Sequence, residues 1–395
     1  PRKLLLLHEQ CCMNLTTRNN DVFVVGGGVI GLSIAWRLSI EGRRVTILER
    51  DQIGKGSSWA GAGILPPANL ESTEPIDLLR GLSHQLFPAW SKELESATGQ
   101  DPGLRLCGGW YLADSPGEMA SLVGMADYWN RLKIDAHQIP MSELSTRETI
   151  LSEWSKKPES IGAWWVPNEY QLRPPWYLKS LRAACENQNV TFHEQCSVRG
   201  VREINTTPQI NVNDHWHSCN QLVICSGAWI NQHTSNLALG KSVFPIRGQM
   251  LLLKTSRPLS TRIFNLGQRY LVCRDDGHVL VGSCEEEVGF LNGTTDEVQE
   301  NLQQFAVSLI PQLQNAQQKT SWSGFRPMTL DGLPMIGRVP GSASTYVACG
   351  HFRSGLHLSP ATAQIITDLL QNRKTTIPIA PFRVGQQTNE QVSIR

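Results

Sequence analysis

The sequence predicts an α/β fold in which a discontinuous parallel-sheet unit is interrupted by a second unit that has sheet strands of its own. Three observations predict it. The apolar strand "DVFVV" runs straight into the glycines of "GGGVIG" and then into an apolar helix. The succession returns in "LVICSGAW", a buried strand closing on small residues, and again in "STYVACGHFRSGLHLSPATAQIITDLL" near the C-terminus. Between these, "GGWYLAD" and "RYLVCRDDGHVLVGS" alternate as sheet strands do.

Gly26, Gly28 and Gly31 fit the pattern G-x-G-x-x-G, and Ile30, Ile34 and Leu38 follow at helical spacing. Each glycine answers a physical need: Gly26 permits a tight turn, Gly28 lets backbone approach a pyrophosphate, and Gly31 lets helix and strand pack closely. The helix N-terminus adds N–H donors and the positive end of a dipole. Gly42 closes the helix, and "RRVTILER" forms a second strand ending at Glu49. An acid there accepts hydrogen bonds from the ribose hydroxyls and disfavours a phosphorylated ribose. The unit is therefore Rossmann-like, with FAD or NAD as its dinucleotide.

The segment "IGKGSSWAGAGIL" (53–65) favours the flavin. Its glycines and alanines leave backbone bare enough to pass along a wide planar ring, and Ser57 and Ser58 offer hydroxyls to phosphate oxygens. Near the C-terminus, a strand over 345–348 meets Gly350, a loop carries His351, Arg353 and Gly355, and a helix follows with Ala361, Ile365, Ile366, Leu369 and Leu370 on one side. Such a unit can set backbone N–H groups beside a flavin's pyrimidine ring.

Composition narrows the function classes. Basic and acidic residues number 36 and 35, a net charge of +1, too balanced for a nucleic-acid track or an anionic membrane surface. No apolar run approaches the roughly 20 residues that a bilayer span needs. The opening "PRKLLLL" is cut short by Glu9 and Gln10, so it does not make a secretory signal. Residues 1–19 read as a disordered extension, with Met13 a candidate start. The ten cysteines show no CxxC pair and no metal-ligand spacing, which reads as reduced core thiols in a cytoplasmic protein without a metal site.

With these stretches assembled, the chain resembles the FAD-dependent D-amino acid oxidase superfamily, and within it the glycine oxidases of thiamine thiazole synthesis. The resemblance is carried by "VVGGGVIGLSIAWRL", "GSSWAGAGIL", "CSGAWI", "FPIRGQML", "YLVCRDDGHVLVGSCEEEVGF", "SGFRPMTLDGLPMIGRVPG" and "CGHFRSGLHLSPATA". It implies a Rossmann-like FAD-binding domain in three segments, 20–103, 163–241 and 318–395 (the last with a C-terminal tail). A second, α+β substrate domain built on a mixed sheet would come from 104–162 and 242–317. It also implies FAD contacts at Val29 and Ile30, at Arg50 after Glu49, and at Ala62, Gly63 and Ile64. Further contacts would be Val198, Gly227 and the run His351, Phe352, Arg353, Ser354, Gly355, Leu356 and His357. Gly324 stands where covalently flavinylated relatives carry cysteine, so non-covalent FAD is expected.

A small zwitterion offers a carboxylate and an amine, and a planar guanidinium is the strongest handle for the carboxylate. Arg326 in "SGFRPMTLDG" and Arg353 in "HFRSG" are the candidates, with an ion pair to Asp331 the structural alternative for Arg326. By resemblance Arg326 is the carboxylate clamp, Arg353 also reaches the substrate, and Tyr270 hydrogen-bonds it. Gln268 and Arg269 precede Tyr270 where the best-known glycine oxidase pattern has histidine and cysteine, which leaves the choice among glycine, sarcosine and small D-amino acids open. The implied reaction is hydride transfer from the α-carbon to flavin N5, giving imine, then glyoxylate and ammonia, with oxygen reduced to hydrogen peroxide. No general base is named, because the flavin performs the redox step. The resemblance also suggests a homo-oligomer, a homotetramer in particular. Competing readings are a quinone-reducing D-amino acid dehydrogenase, a tRNA-modifying flavin oxidoreductase of the same fold, and a non-enzymatic flavin-binding module.

Overall fold

A computed structural model describes residues 21–240 and 242–385. The expected extension over 1–19 and the candidate start at Met13 lie outside the described residues, as does the end of the C-terminal tail.

The strand Asp21–Val25 is apolar at nearly every position because it is covered on both faces. Val22 and Val24 enter one core, and Phe23 and Val25 enter another. It stands inside a six-stranded sheet ordered Met335–Arg338, Thr345–Cys349, Gln221–Ile224, Asp21–Val25, Arg44–Leu48 and Thr191–His193. Every neighbouring pair is parallel except the first, which is antiparallel. Parallel sheets need cover on both sides. Helices Val29–Ile40, Pro75–Thr98, Pro174–Asn187 and Gly355–Leu370 cover one side through residues such as Leu32, Leu82, Leu181 and Ile365. A three-stranded antiparallel sheet (Val198–Ile204, Thr207–Val212, His215–Ser218) covers the other, with Val201 and Ile210 against Phe23 and Ile224.

The second sheet has eight strands, ordered Gln317–Thr329, Val243–Lys254, His278–Gly282, Arg269–Cys273, Ile263–Leu266, Gly109–Ala113, Gly162–Val166 and His137–Gln138. It is mixed, since Ile263–Leu266 and Gly109–Ala113 run parallel within an otherwise antiparallel array. Alternation assigns its faces. Leu251, Leu253, Leu271 and Val281 pack on helix Asp296–Leu309 through Leu302 and Phe305. Their chain neighbours Met250, Leu252, Tyr270, Val272 and Leu280 turn the other way, toward Ala62 and Ile64 of the glycine-rich loop. The pleat thus turns Tyr270 toward the first domain.

Two of the sequence divisions, at 162/163 and at 317/318, fall inside strands of this mixed sheet, Gly162–Val166 and Gln317–Thr329. The composition does not change where the chain leaves one sheet for the other. We place these divisions after Val166 and after Thr329.

Candidate active site

Between the two sheets lies a cleft of about 1310 Å³. Its floor begins at the first glycines. Gly26 has φ of +106°, and a Cβ there would lie 2.6 Å from the Cys225 carbonyl oxygen, so this turn admits only glycine. A Cβ on Gly31 would run into the Gly26 carbonyl oxygen. Gly31 is therefore buried packing rather than cleft lining, while Gly26, Gly28, Val29 and Ile30 line the cleft. Helices Val29–Ile40 and Gly355–Leu370 both begin at the cleft with no acid in the first turn and no side-chain cap from the preceding residue. Two positive helix ends facing one cleft suit a ligand carrying negative charge and hydrogen-bond acceptors.

Side chains complete this cradle. Ser58 Oγ accepts the Val29 N–H at 2.9 Å, which leaves its own proton to donate. Ser57 instead donates its proton to the Phe325 carbonyl, so it ties the glycine-rich loop to the mixed sheet. The Glu49 carboxylate accepts the Gly27 N–H at 2.7 Å and the Asp51 N–H at 2.9 Å, which fixes it at the cleft edge with lone pairs to spare. Arg50 lies over the Trp229 ring at 3.9 Å. Ala62, Gly63, Ile64, Val198 and Gly227 also line the cleft, as do His351, Phe352, Arg353, Ser354, Gly355, Leu356 and His357. Phe352 holds φ of +46°, a conformation that costs a non-glycine residue energy and survives only where its surroundings enforce it.

The opposite wall is the mixed sheet, where missing side chains bring distant residues together. Arg326 sits on the edge strand, and its guanidinium lies flat over Gly248 of the next strand, in space that a Cβ would fill. It continues to the segment after Gly282, where Nη2 donates to Ser283 Oγ at 2.8 Å and Nη1 to the Cys284 carbonyl at 3.0 Å. From the other side, the Tyr270 ring covers Gly282, its cross-strand partner. Arg326 and Tyr270 therefore converge on Gly282 and Ser283 from strands that are not neighbours. The Arg326 side chain is 17 % exposed, with Glu285 Oε1 3.8 Å away. Arg353 donates from Nε to the same Glu285 oxygen at 2.7 Å.

His351, in the C-terminal loop, and His357, in the first turn of helix Gly355–Leu370, are both buried. His351 shares a 3.0 Å hydrogen bond with Thr362 Oγ1, and burial pushes its pKa down to about 3. Burial, with His84 and Arg80 nearby, holds His357 well below its ordinary value. Both are neutral at neutral pH. Below pH ~6.5 the unfolded chain takes up protons that the folded chain refuses, so stability falls with pH until folded His351 itself titrates. Each group contributes up to about 1.4 kcal/mol per pH unit across that window. The denaturant midpoint should therefore drop between pH 7 and pH 5, and drop less in His351→Asn; an equal drop in both proteins would assign the acid sensitivity elsewhere.

Sequence reading missed several lining residues. Tyr111 and Trp129, edge to face at 4.9 Å, form an aromatic wall; the alternation in "GGWYLAD" that buries Trp110 carries the signal for Tyr111. It also missed the acids of "SCEEE". Glu285 holds Arg353, and Glu286 grips Arg247 with bonds of 3.0 and 2.8 Å. Consecutive acids directly after an apolar strand were the available clue.

Comparison with known proteins places the chain in company. The family described as FAD dependent oxidoreductase (DAO) matches residues 21–369. The glycine oxidase of Pseudomonas aeruginosa is 33 % identical over 364 residues, which cover 91 % of this chain and 97 % of that protein. The bifunctional protein ThiO/ThiG of Trichormus variabilis is 31 % identical, over 93 % of this chain and 55 % of the relative. The crystal structure of glycine oxidase from Geobacillus kaustophilus superposes with a TM-score of 0.86 at 28 % identity, over 93 % of this chain and all of that one.

Proposed function

The chain belongs to the FAD dependent oxidoreductase (DAO) family, and from that premise we propose that this FAD-dependent amine oxidase acts on glycine. The reaction would be glycine, oxygen and water to glyoxylate, ammonia and hydrogen peroxide. The observation that carries the reading is the convergence of Arg326 and Tyr270 on Gly282 and Ser283, across the cleft from the glycine-lined cradle. Relatives at 30 % identity or more that share nearly the whole chain support it.

The residues present fit FAD. Gly26, Gly28, Val29, Ile30 and Ser58 would hold the pyrophosphate, Glu49 the ribose, and Ala62 to Ile64 with the run from His351 to His357 the ring system. Arg50, Val198 and Gly227 would close the nucleotide end. Gly324 lies against Ala60 with no room for a larger side chain, which supports non-covalent binding. Cys225 and Cys349 line the cleft, and burial raises both thiols, Cys349 to about 12, so they stay protonated. When bound, FAD would supply the two-electron acceptor for a hydride from the α-carbon and the route by which those electrons reach oxygen.

The protein's own contribution is orientation. Two of the Arg326 N–H groups are spent on Ser283 and Cys284, and those remaining can take a substrate carboxylate as a fork. Among the described residues the Tyr270 hydroxyl makes a long contact to Met250 Sδ, 3.6 Å, which it can leave for the substrate at little cost. Neutral His351 and His357 are structural, since one is bonded to Thr362 and the other is packed near His84 and Phe87. A glycine-derived imine could also feed thiamine thiazole synthesis, a role that the ThiO/ThiG relatives support. The thiols of Cys107, Cys185, Cys219, Cys225, Cys273, Cys284 and Cys349 are free, in keeping with the reducing compartment, the cytoplasm, that we propose for the protein.

Peroxide release by the FAD-loaded protein tests the reading. Glycine and sarcosine should give peroxide, and D-alanine or D-proline less. A protein that ignores all four amines while binding FAD would refute it.

A further inference from the structure

We propose that Glu285 restricts the site to substrates with a single carboxylate, by neutralising Arg353 and leaving Arg326 as the guanidinium open to an anion. The inference rests on the reading above, in which Arg326 receives the substrate carboxylate.

Four successive residues, Ser283 to Glu286, engage three arginines, and each does so differently. Ser283 and Cys284 meet Arg326 with a hydroxyl and a carbonyl, both neutral acceptors. Glu286 closes on Arg247 with two bonds, and its backbone pairs with that of Arg247 at 3.0 Å in both directions. This is a sealed pair that offers nothing to a ligand. Glu285 makes its hydrogen bond to Arg353, at 2.7 Å, and approaches Arg326 only to 3.8 Å. Arg353 lowers the Glu285 carboxyl below its ordinary value, so it is ionised at neutral pH.

The charges of Arg326, Arg353 and Glu285 then leave one net positive charge, matched to one substrate carboxylate. A substrate with a second carboxylate meets an arginine already paired and an acid that repels it. Discrimination built on such repulsion is a common route to specificity. Glutamine at this position keeps the length of the side chain and an oxygen for Arg353, but removes the charge.

Iminodiacetate, which is glycine bearing a second carboxymethyl group on nitrogen, is the probe. In Glu285→Gln the ratio of kcat/KM for iminodiacetate to that for glycine should rise at least ~10-fold, chiefly through KM. In Glu285→Asp, which keeps the charge, the ratio should stay near that of the wild type. Flavin content reports whether each variant folds. A second arm needs no turnover: acetate and malonate binding are read by their perturbation of bound-flavin absorbance. The preference for malonate over acetate should rise at least ~10-fold in Glu285→Gln. An unchanged preference overturns the proposal whether or not glycine is oxidised. Loss of glycine oxidation by the wild type, with malonate preference still shifting in the variant, would instead overturn the substrate assignment alone.

Discussion

Replacing Arg326 with alanine should weaken glycine binding by tens- to thousands-fold and leave the flavin in place. The guanidinium is mostly buried, lies flat on Gly248, and is held at both ends by Ser283 and Cys284. It is thus prepaid in conformation, and its remaining donors face a partly desolvated pocket. Removing one member of such a charge pair costs about 2–5 kcal/mol, because the partner carboxylate still loses its water. Lysine should rescue little, since a point charge replaces a planar fork. The nucleotide cradle lies on the opposite wall, so flavin content should match the wild type. The KM for glycine and the affinity for acetate check the expectation. An unchanged KM would remove Arg326 from its assigned role.

Gly31→Val should yield a protein that purifies with little or no flavin. A side chain at this position runs into the Gly26 carbonyl oxygen, which is backbone and cannot rotate away. The helix Val29–Ile40 must then lift from the strand Asp21–Val25. Overpacking of this kind costs about 1–3 kcal/mol in a core, and here the displaced atoms are the floor of the cradle. Gly42→Ala is the control. It has φ of +79° but nothing within 4 Å of a Cβ, so it should lose about 1–2 kcal/mol to backbone strain and keep its flavin. Flavin absorbance per protein, with thermal midpoints, separates the two. Full flavin occupancy in Gly31→Val would mean that the close approach is not needed to hold the cofactor.

What the sequence made legible was the local part. The first strand, the glycines and the first helix are contiguous, so pattern and spacing were sufficient to place them, although the close approach of Cys225 to Gly26 was not visible. The reversal of side chains along "RYLVCRDDGHVLVGS" likewise foretold sheet strands. Tyr270 was reachable only through resemblance, which also singled out Arg326 from the two candidate arginines. What joins Arg326 and Tyr270 is the cross-strand register that sets Gly248 and Gly282 beneath their side chains, and register is invisible in one sequence. Glu285 was missed for the same reason, since its partner Arg353 lies 68 residues away. Ser57 was read as a phosphate donor, yet its proton goes to Phe325 across the domain contact. That pairing depends on how the glycine-rich loop docks on the sheet.

In the proposed site a flavin held on the glycine-lined wall faces a small amino acid pinned by Arg326. Anaerobic mixing of the FAD-loaded protein with glycine tests it most directly. The oxidised flavin absorbance should bleach in a single turnover, saturably with glycine, and Arg326→Ala should require far higher concentrations for the same bleaching. A flavin that stays oxidised in saturating glycine, or that bleaches identically in the variant, would contradict that arrangement.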